Sequence, residues 1–152
     1  MKASKLLNEI KENLKDFNIE YVRNKATDDR YKDPLTKQLA KYNSSIYDEI
    51  FELELENDFE IPNKDIQSLK NDIDFYFSRY DPHDEENQKL TKNISLYLSF
   101  IGKKPLHPFG EGGNVYLKNG QYYCKGRANY IKDKNSLCRY CPTKVAPFNH
   151  FF

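Results

Sequence analysis

Three cysteines and three histidines are the residues of this chain best suited to coordination chemistry. Cys138-Arg139-Tyr140-Cys141 is a C-x-x-C pair, the spacing at which one tight turn aims two thiolates at a single ion. Cys124 lies 14 residues earlier, near enough for the intervening loop to fold it back. Zinc takes four ligands in a tetrahedron, and three cysteines with one histidine is a common structural set. His107, in Leu106-His107-Pro108-Phe109, is the first candidate for the fourth position. His150, nine residues beyond Cys141, is the alternative, and His83, at a helix junction, is the weakest. The expectation is a metal site at His107, Cys124, Cys138 and Cys141. Zinc is the expected ion, with an iron–sulfur cluster as the alternative, since thiolate-rich sites suit both. Other fates stay open. The thiols can serve as small core hydrophobes, or Cys138 and Cys141 can form a disulfide. An odd cysteine count and no secretory segment count against a disulfide framework. A redox C-x-x-C usually follows a βαβ pattern, and none precedes this one.

Two other features could carry chemistry. Gly110-Glu111-Gly112-Gly113 is glycine-rich, but no phosphate-loop pattern follows, and Glu111 would repel an anion. It reads as a flexible approach to the next element. Lys125, Arg127, Lys132, Lys134, Arg139 and Lys144 interleave with Tyr122, Tyr123, Tyr130 and Tyr140. Cations that track a backbone, with rings that stack on bases, are what RNA or single-strand binding uses. The competing reading is internal: the basic tail neutralises an acidic body that is tethered to it. Glu49, Glu52 and Glu56 share a helical face at i, i+3, i+7. They read as a solvated face, because a di-iron bundle needs Glu-x-x-His on two helices and the chain has none. No G-x-S-x-G, H-E-x-x-H or G-x-G-x-x-G occurs, so no hydrolase, zinc-protease or dinucleotide motif is present.

The elements that must position these residues fall in two parts. Residues 1–100 contain no glycine, and all six glycines and all three cysteines lie beyond them. Without glycine, left-handed turns are costly, so the first part reads as helical. Ala3, Leu6, Leu7, Ile10, Leu14 and Phe17 form one apolar stripe of helical period. Leu35, Leu39, Tyr42, Ile46, Ile50 and Leu53 form a second, opened by Asp33-Pro34 as N-cap and first residue, with a break conceivable near Asn43-Ser44-Ser45. Glu52-Leu53-Glu54-Leu55-Glu56 alternates like a strand but lacks an evident partner, so the helix is expected to continue through it. Ile66, Leu69, Ile73, Tyr76, Phe77 and Tyr80 make a third stripe between Ile61-Pro62 and Asp81-Pro82. Leu90, Ile94, Leu98 and Ile101 make a fourth, with Asp84-Glu85-Glu86 in its first turn and Gly102 as its stop. Beyond it, Val115–Lys118, Asn119-Gly120 and Gln121–Cys124 spell a β-hairpin with a type I′ turn.

The expected fold is therefore mainly α. Residues 1–102 form a small bundle of about four helices, and residues 103–152 form a short, metal-stapled hairpin module packed on it. At 152 residues the chain fits one structural domain. The charges split the same way. Residues 1–100 carry 15 Lys and Arg against 21 Asp and Glu, whereas residues 101–152 carry 9 against 2. Met1-Lys2-Ala3-Ser4-Lys5 opens no apolar signal segment, and no run approaches the roughly 20 apolar residues of a membrane helix. The expectation is a cytoplasmic protein without membrane contact.

His107-Pro108, Gly112-Gly113, Val115, Gly120-Gln121-Tyr122-Tyr123-Cys124 and Leu137-Cys138-Arg139-Tyr140-Cys141 together resemble an archaeal family of unknown function found mainly in methanogens. Its signature reads HP…GG…V…YYC…LCxFC after a helical N-terminal part. The likeness covers most of residues 105–141. Tyr140 stands where the family has Phe, and Lys125 stands where a Pro usually follows the first cysteine. The resemblance carries over no catalytic role. It implies a shared site at His107, Cys124, Cys138 and Cys141, and an anaerobic cytoplasm in which thiolates and clusters survive. The resulting expectation is a metal-binding interaction module with an unidentified protein partner. The alternatives are an enzyme or electron-transfer protein with an iron–sulfur or catalytic zinc site, and an RNA binder.

Overall fold

The first stripe becomes a buried ridge. In a computed structural model of the chain, which describes residues 1–30, 32–108, 115–125 and 137–145, helix α1 spans Ala3–Leu14 and buries Ala3, Leu6, Leu7, Ile10 and Leu14. Each fully buried Leu or Ile contributes about 1.5–3 kcal/mol. Phe17 follows the helix and packs half-buried on the core. Helix α2 (Ile19–Thr27) is an element the periodicity does not announce, because its nine residues bury only Ile19 and Val22. It packs against α3.

Helix α3 spans Pro34–Glu52. Its start is as expected: Asp33 accepts hydrogen bonds from the Leu35 amide at 3.1 Å and the Thr36 hydroxyl at 3.0 Å, which satisfies one of the amide donors left open at the helix start. It does not break at Asn43-Ser44-Ser45. The Ser44 and Ser45 hydroxyls donate to the carbonyls of Lys41 and Tyr42 at 2.9 and 2.8 Å, so they satisfy themselves on the helix rather than competing with it. The helix does not run on through Glu56. Leu53 turns extended at φ −72°, ψ 129°, and residues 53–56 alternate half-buried Leu with exposed Glu, without a partner strand among the described residues. The N-terminal end of the second stripe is also not core: Leu35 is 69% exposed, while Ala40, Ile46 and Ile50 are buried.

Helices α4 (Asn63–Tyr80) and α5 (Glu85–Tyr97) pack against each other, and α5 also lies on α1. α4 buries Ile66, Leu69, Ile73 and Phe77 but leaves Tyr76 and Tyr80 exposed. Asp84 caps α5 by accepting from the Asn87 amide at 3.0 Å. Among the described residues no helix is long and apolar enough to cross a membrane.

Strands β1 (Val115–Lys118) and β2 (Gln121–Cys124) form the expected antiparallel hairpin. Asn119 (φ 51°) and Gly120 (φ 77°) supply the pair of positive φ angles of a type I′ turn. A short strand β3 (Lys144–Val145) then pairs parallel to β2, with Cys124 opposite Val145. Leu106, Leu137 and Tyr140 pack half-buried on the helical core, so segments beyond residue 102 share the core of the helices. His150, the Gly110–Gly113 segment, Arg127, Tyr130, Lys132 and Lys134 lie outside the described residues.

Candidate metal centre

The approach to the site begins where α5 ends. Leu98–Gly102 forms a π-helical turn, a widened geometry often found at functional positions. Gly102 lies against the ring of Tyr97, where an added Cβ would come within 2.6 Å of Cε1. The left-handed residue that terminates the helix is not Gly102 but Lys103, at φ 52°. The chain then leaves as a strap. The Lys104 ammonium pairs with Glu49 Oε1, and the Tyr97 hydroxyl donates to Glu49 Oε2 at 2.5 Å. Burial, followed by that bond to a carboxylate, pushes the Tyr97 phenol well above its ordinary pKa. The Tyr42 hydroxyl donates to the carbonyl of Pro105 at 2.6 Å. Burial raises its pKa first, and the nearby charges of Cys141, Tyr122 and Glu49 add to it.

One residue further, the Leu106 amide donates to the sulfur of Cys141 at 3.3 Å. His107 follows directly. The residue as a whole is exposed, and neighbouring protein atoms partly desolvate its imidazole and hold its pKa below the ordinary value. A neutral imidazole is the form that binds metal.

The C-x-x-C pair lies on a 3₁₀ turn, Cys138–Tyr140, closed by the Cys141 amide donating to the Cys138 carbonyl at 3.1 Å. The Thr143 hydroxyl reaches the Cys141 sulfur at 3.5 Å. The two residues between the cysteines dock the turn on α4. The Tyr140 hydroxyl donates to Asp72 Oδ2 at 2.6 Å and meets the Ser68 hydroxyl at 2.6 Å. The Arg139 guanidinium pairs with the same carboxylate and lies 4.9 Å from the Tyr140 ring centroid. Cys124 ends β2, joined to the segment after Cys141 by the β2–β3 pairing. None of the three cysteines is in a disulfide, and all are half-buried.

The four predicted ligands thus sit on three segments joined by backbone pairing and one N–H···S bond. Among the described residues, however, no three His, Cys, Asp or Glu side chains are gathered around one point. The reading of Glu49 as part of a solvated acidic face is corrected: it is bonded on both oxygens, whereas Glu52 and Glu56 are exposed. Of the residues named for RNA, Arg139 is committed to Asp72 and Tyr140, and the Lys125 ammonium lies 5.9 Å from the Tyr116 ring centroid. Tyr42, Glu49, Tyr97 and Lys104 were not legible as site neighbours. The only local signal was Lys104-Pro105 directly ahead of Leu106-His107.

Comparison with known proteins places these observations in a lineage. A UPF0305 protein of Methanocaldococcus jannaschii is 29% identical, covering 95% of this chain and 96% of its own length. A UPF0305 protein of Methanothermobacter thermautotrophicus is 27% identical over 80% of this chain and 78% of its own. One of Methanococcus maripaludis is 36% identical over 61% of this chain and 58% of its own. No solved structure matches. The family model described as an uncharacterized protein conserved in archaea, DUF2115, matches residues 2–145. Helices, strap, hairpin and C-x-x-C turn all fall within that match, and the chain belongs to this archaeal family.

Proposed function

We propose that His107, Cys124, Cys138 and Cys141 hold one zinc ion as a structural staple, and that the stapled protein acts as a binding or interaction module. The observation that supports this reading is the Leu106 amide on the Cys141 sulfur. A backbone N–H directed at a cysteine sulfur is the outer-shell contact that stabilises a thiolate ligand and tunes its metal. The same contact puts His107 one residue from that sulfur, and β-pairing ties Cys124 to the strand after Cys141. The described sheet has three short strands, and the segments beside it lean on the helical core through Leu106, Leu137 and Tyr140; a bound ion would add folding free energy directly.

The test is elemental analysis of anaerobically purified protein. The expected result is one zinc per chain. Iron in its place would replace the staple with a cluster, and the absence of both metals would end the metal reading. Cys138→Ser should lose the ion and melt earlier, and wild type in excess chelator should melt with the variant. If chelator leaves wild-type melting unchanged, the metal has no structural role.

A further inference from the structure

We infer that Tyr42 and Glu49, on α3, are positioning residues of this centre: they clamp residues 104–107 so that the strap meets Cys141. The inference rests on the zinc reading for its consequence and on geometry for its substance.

Tyr42 and Glu49 are seven residues apart, two turns along one helical face. Each seizes a different point of the strap. Glu49 takes the Lys104 ammonium with one oxygen while Tyr97 holds the other. Tyr42 takes the Pro105 carbonyl, and Pro105 itself is fully buried. Two consecutive strap residues are thereby fixed to one rigid helix. The next amide is the one that reaches Cys141, and the next side chain is the imidazole of His107. The start of the strap is also tied back to the turn that precedes it. The Lys104 amide returns to the Leu98 carbonyl at 3.1 Å, across the left-handed Lys103. A ligand carried on an irregular segment is only as well placed as the bonds that hold the segment. Here those bonds come from α3, whose own sequence shows no metal-ligand pattern.

The variant that isolates the clamp is Tyr42→Phe, which removes one hydroxyl and keeps the ring. Tyr47→Phe is its control, because Tyr47, on the same helix, also donates to a backbone carbonyl, that of Leu14 at 3.3 Å, away from the strap. Zinc affinity is measured by competition with a chromophoric chelator. Loss of a partner bonded directly to a ligand weakens metal binding by about 10–100-fold, and Tyr42 and Glu49 act one step further out, so a loss near about 10-fold follows. That loss is expected for Tyr42→Phe and Glu49→Gln, with Tyr47→Phe unchanged. Tyr42→Phe at wild-type affinity, or Tyr47→Phe falling as far, would overturn the inference.

A second arm needs no metal. With Cys124 and Cys138 replaced by serine, alkylation of Cys141 by iodoacetamide reports how firmly the strap covers that sulfur. Tyr42→Phe should accelerate it, and Tyr47→Phe should not. Faster labelling in a protein that binds no zinc would retain the clamp and discard the staple. Normal zinc binding with neither affinity nor labelling altered would discard the clamp and retain the staple.

Discussion

Gly102→Ala tests the start of the strap with a single methyl group. A Cβ at this position would lie 2.6 Å from Cε1 of Tyr97 and 3.0 Å from Cζ, well inside carbon–carbon contact. The ring cannot swing aside cheaply. Tyr97 is 2% exposed, and its hydroxyl is held by Glu49 at 2.5 Å. Either the π turn shifts or the ring moves and the bond breaks. Forcing an extra methyl into a packed core costs about 1–3 kcal/mol. Removing glycine's freedom from the unfolded chain offsets about 0.4–1 kcal/mol of that. The net loss is therefore about 1.3 kcal/mol at the midpoints of these ranges, and at about 2–4 °C per kcal/mol the melting temperature should fall by about 3–5 °C. The measurement is thermal unfolding followed by circular dichroism, in wild type and in a Tyr97→Leu background. With the ring gone, the same Gly102→Ala change should be neutral or stabilising, a coupling that a double-mutant cycle reads directly. An unchanged or raised melting temperature for the single variant would refute the clash. An equal fall in both backgrounds would show that the penalty lies in the backbone, not in Tyr97.

Alkaline unfolding provides a second check on the same cluster. The folded-state pKa values of Tyr42 and Tyr97 are raised above the ordinary tyrosine value of 10.0. The unfolded chain therefore releases these protons first, and stability is full below about pH 10 and falls as pH rises from there through the folded values. Each phenol contributes at most about 1.4 kcal/mol per pH unit. Urea unfolding between about pH 9 and 11 should show a shallower decline for Tyr97→Phe, and parallel declines would refute the assignment. A third outcome concerns docking of the C-x-x-C turn. Tyr140→Phe strips the hydroxyl that meets both Asp72 and Ser68 and should cost about 1–3 kcal/mol, read as a lower urea midpoint with the slope unchanged. A midpoint at the wild-type value would mean that the turn is held by other contacts.

What could be read from the chain alone was local in origin. Asn119-Gly120 announces its turn because two adjacent residues must take positive φ. Asp33-Pro34 announces α3 because the cap bond spans two residues. The features that escaped are those whose partners are remote. Tyr42 meets Pro105 across 63 residues, and Glu49 meets Tyr97 across 48. β3 is two residues long and gains its identity only from β2. Glu49 belongs with these: its partners Tyr97 and Lys104 lie 48 and 55 residues away. α3 stops at Glu52, so Glu56 leaves the face that Glu49 and Glu52 share.

The charge division between the two parts of the chain follows from the same remote contacts. The basic excess beyond residue 100 suggested an available cationic surface, yet two of its charges are consumed by carboxylates of the helices. Lys104 is paired with Glu49, and Arg139 with Asp72. Lys103 lies 5.8 Å from the Phe59 ring centroid. Each ion pair is partly exposed, and such pairs contribute little free energy by themselves. Their effect is geometric: one fixes the strap that precedes His107, and the other fixes the turn that carries Cys138 and Cys141. The total of +1 hides unequal halves, and opposite charges meet across the division at two points, Lys104 with Glu49 and Arg139 with Asp72. The count of Lys and Arg in the tail overstates the charge left exposed, because carboxylates of the helices pair with Lys104 and Arg139 and hold the segments that carry them.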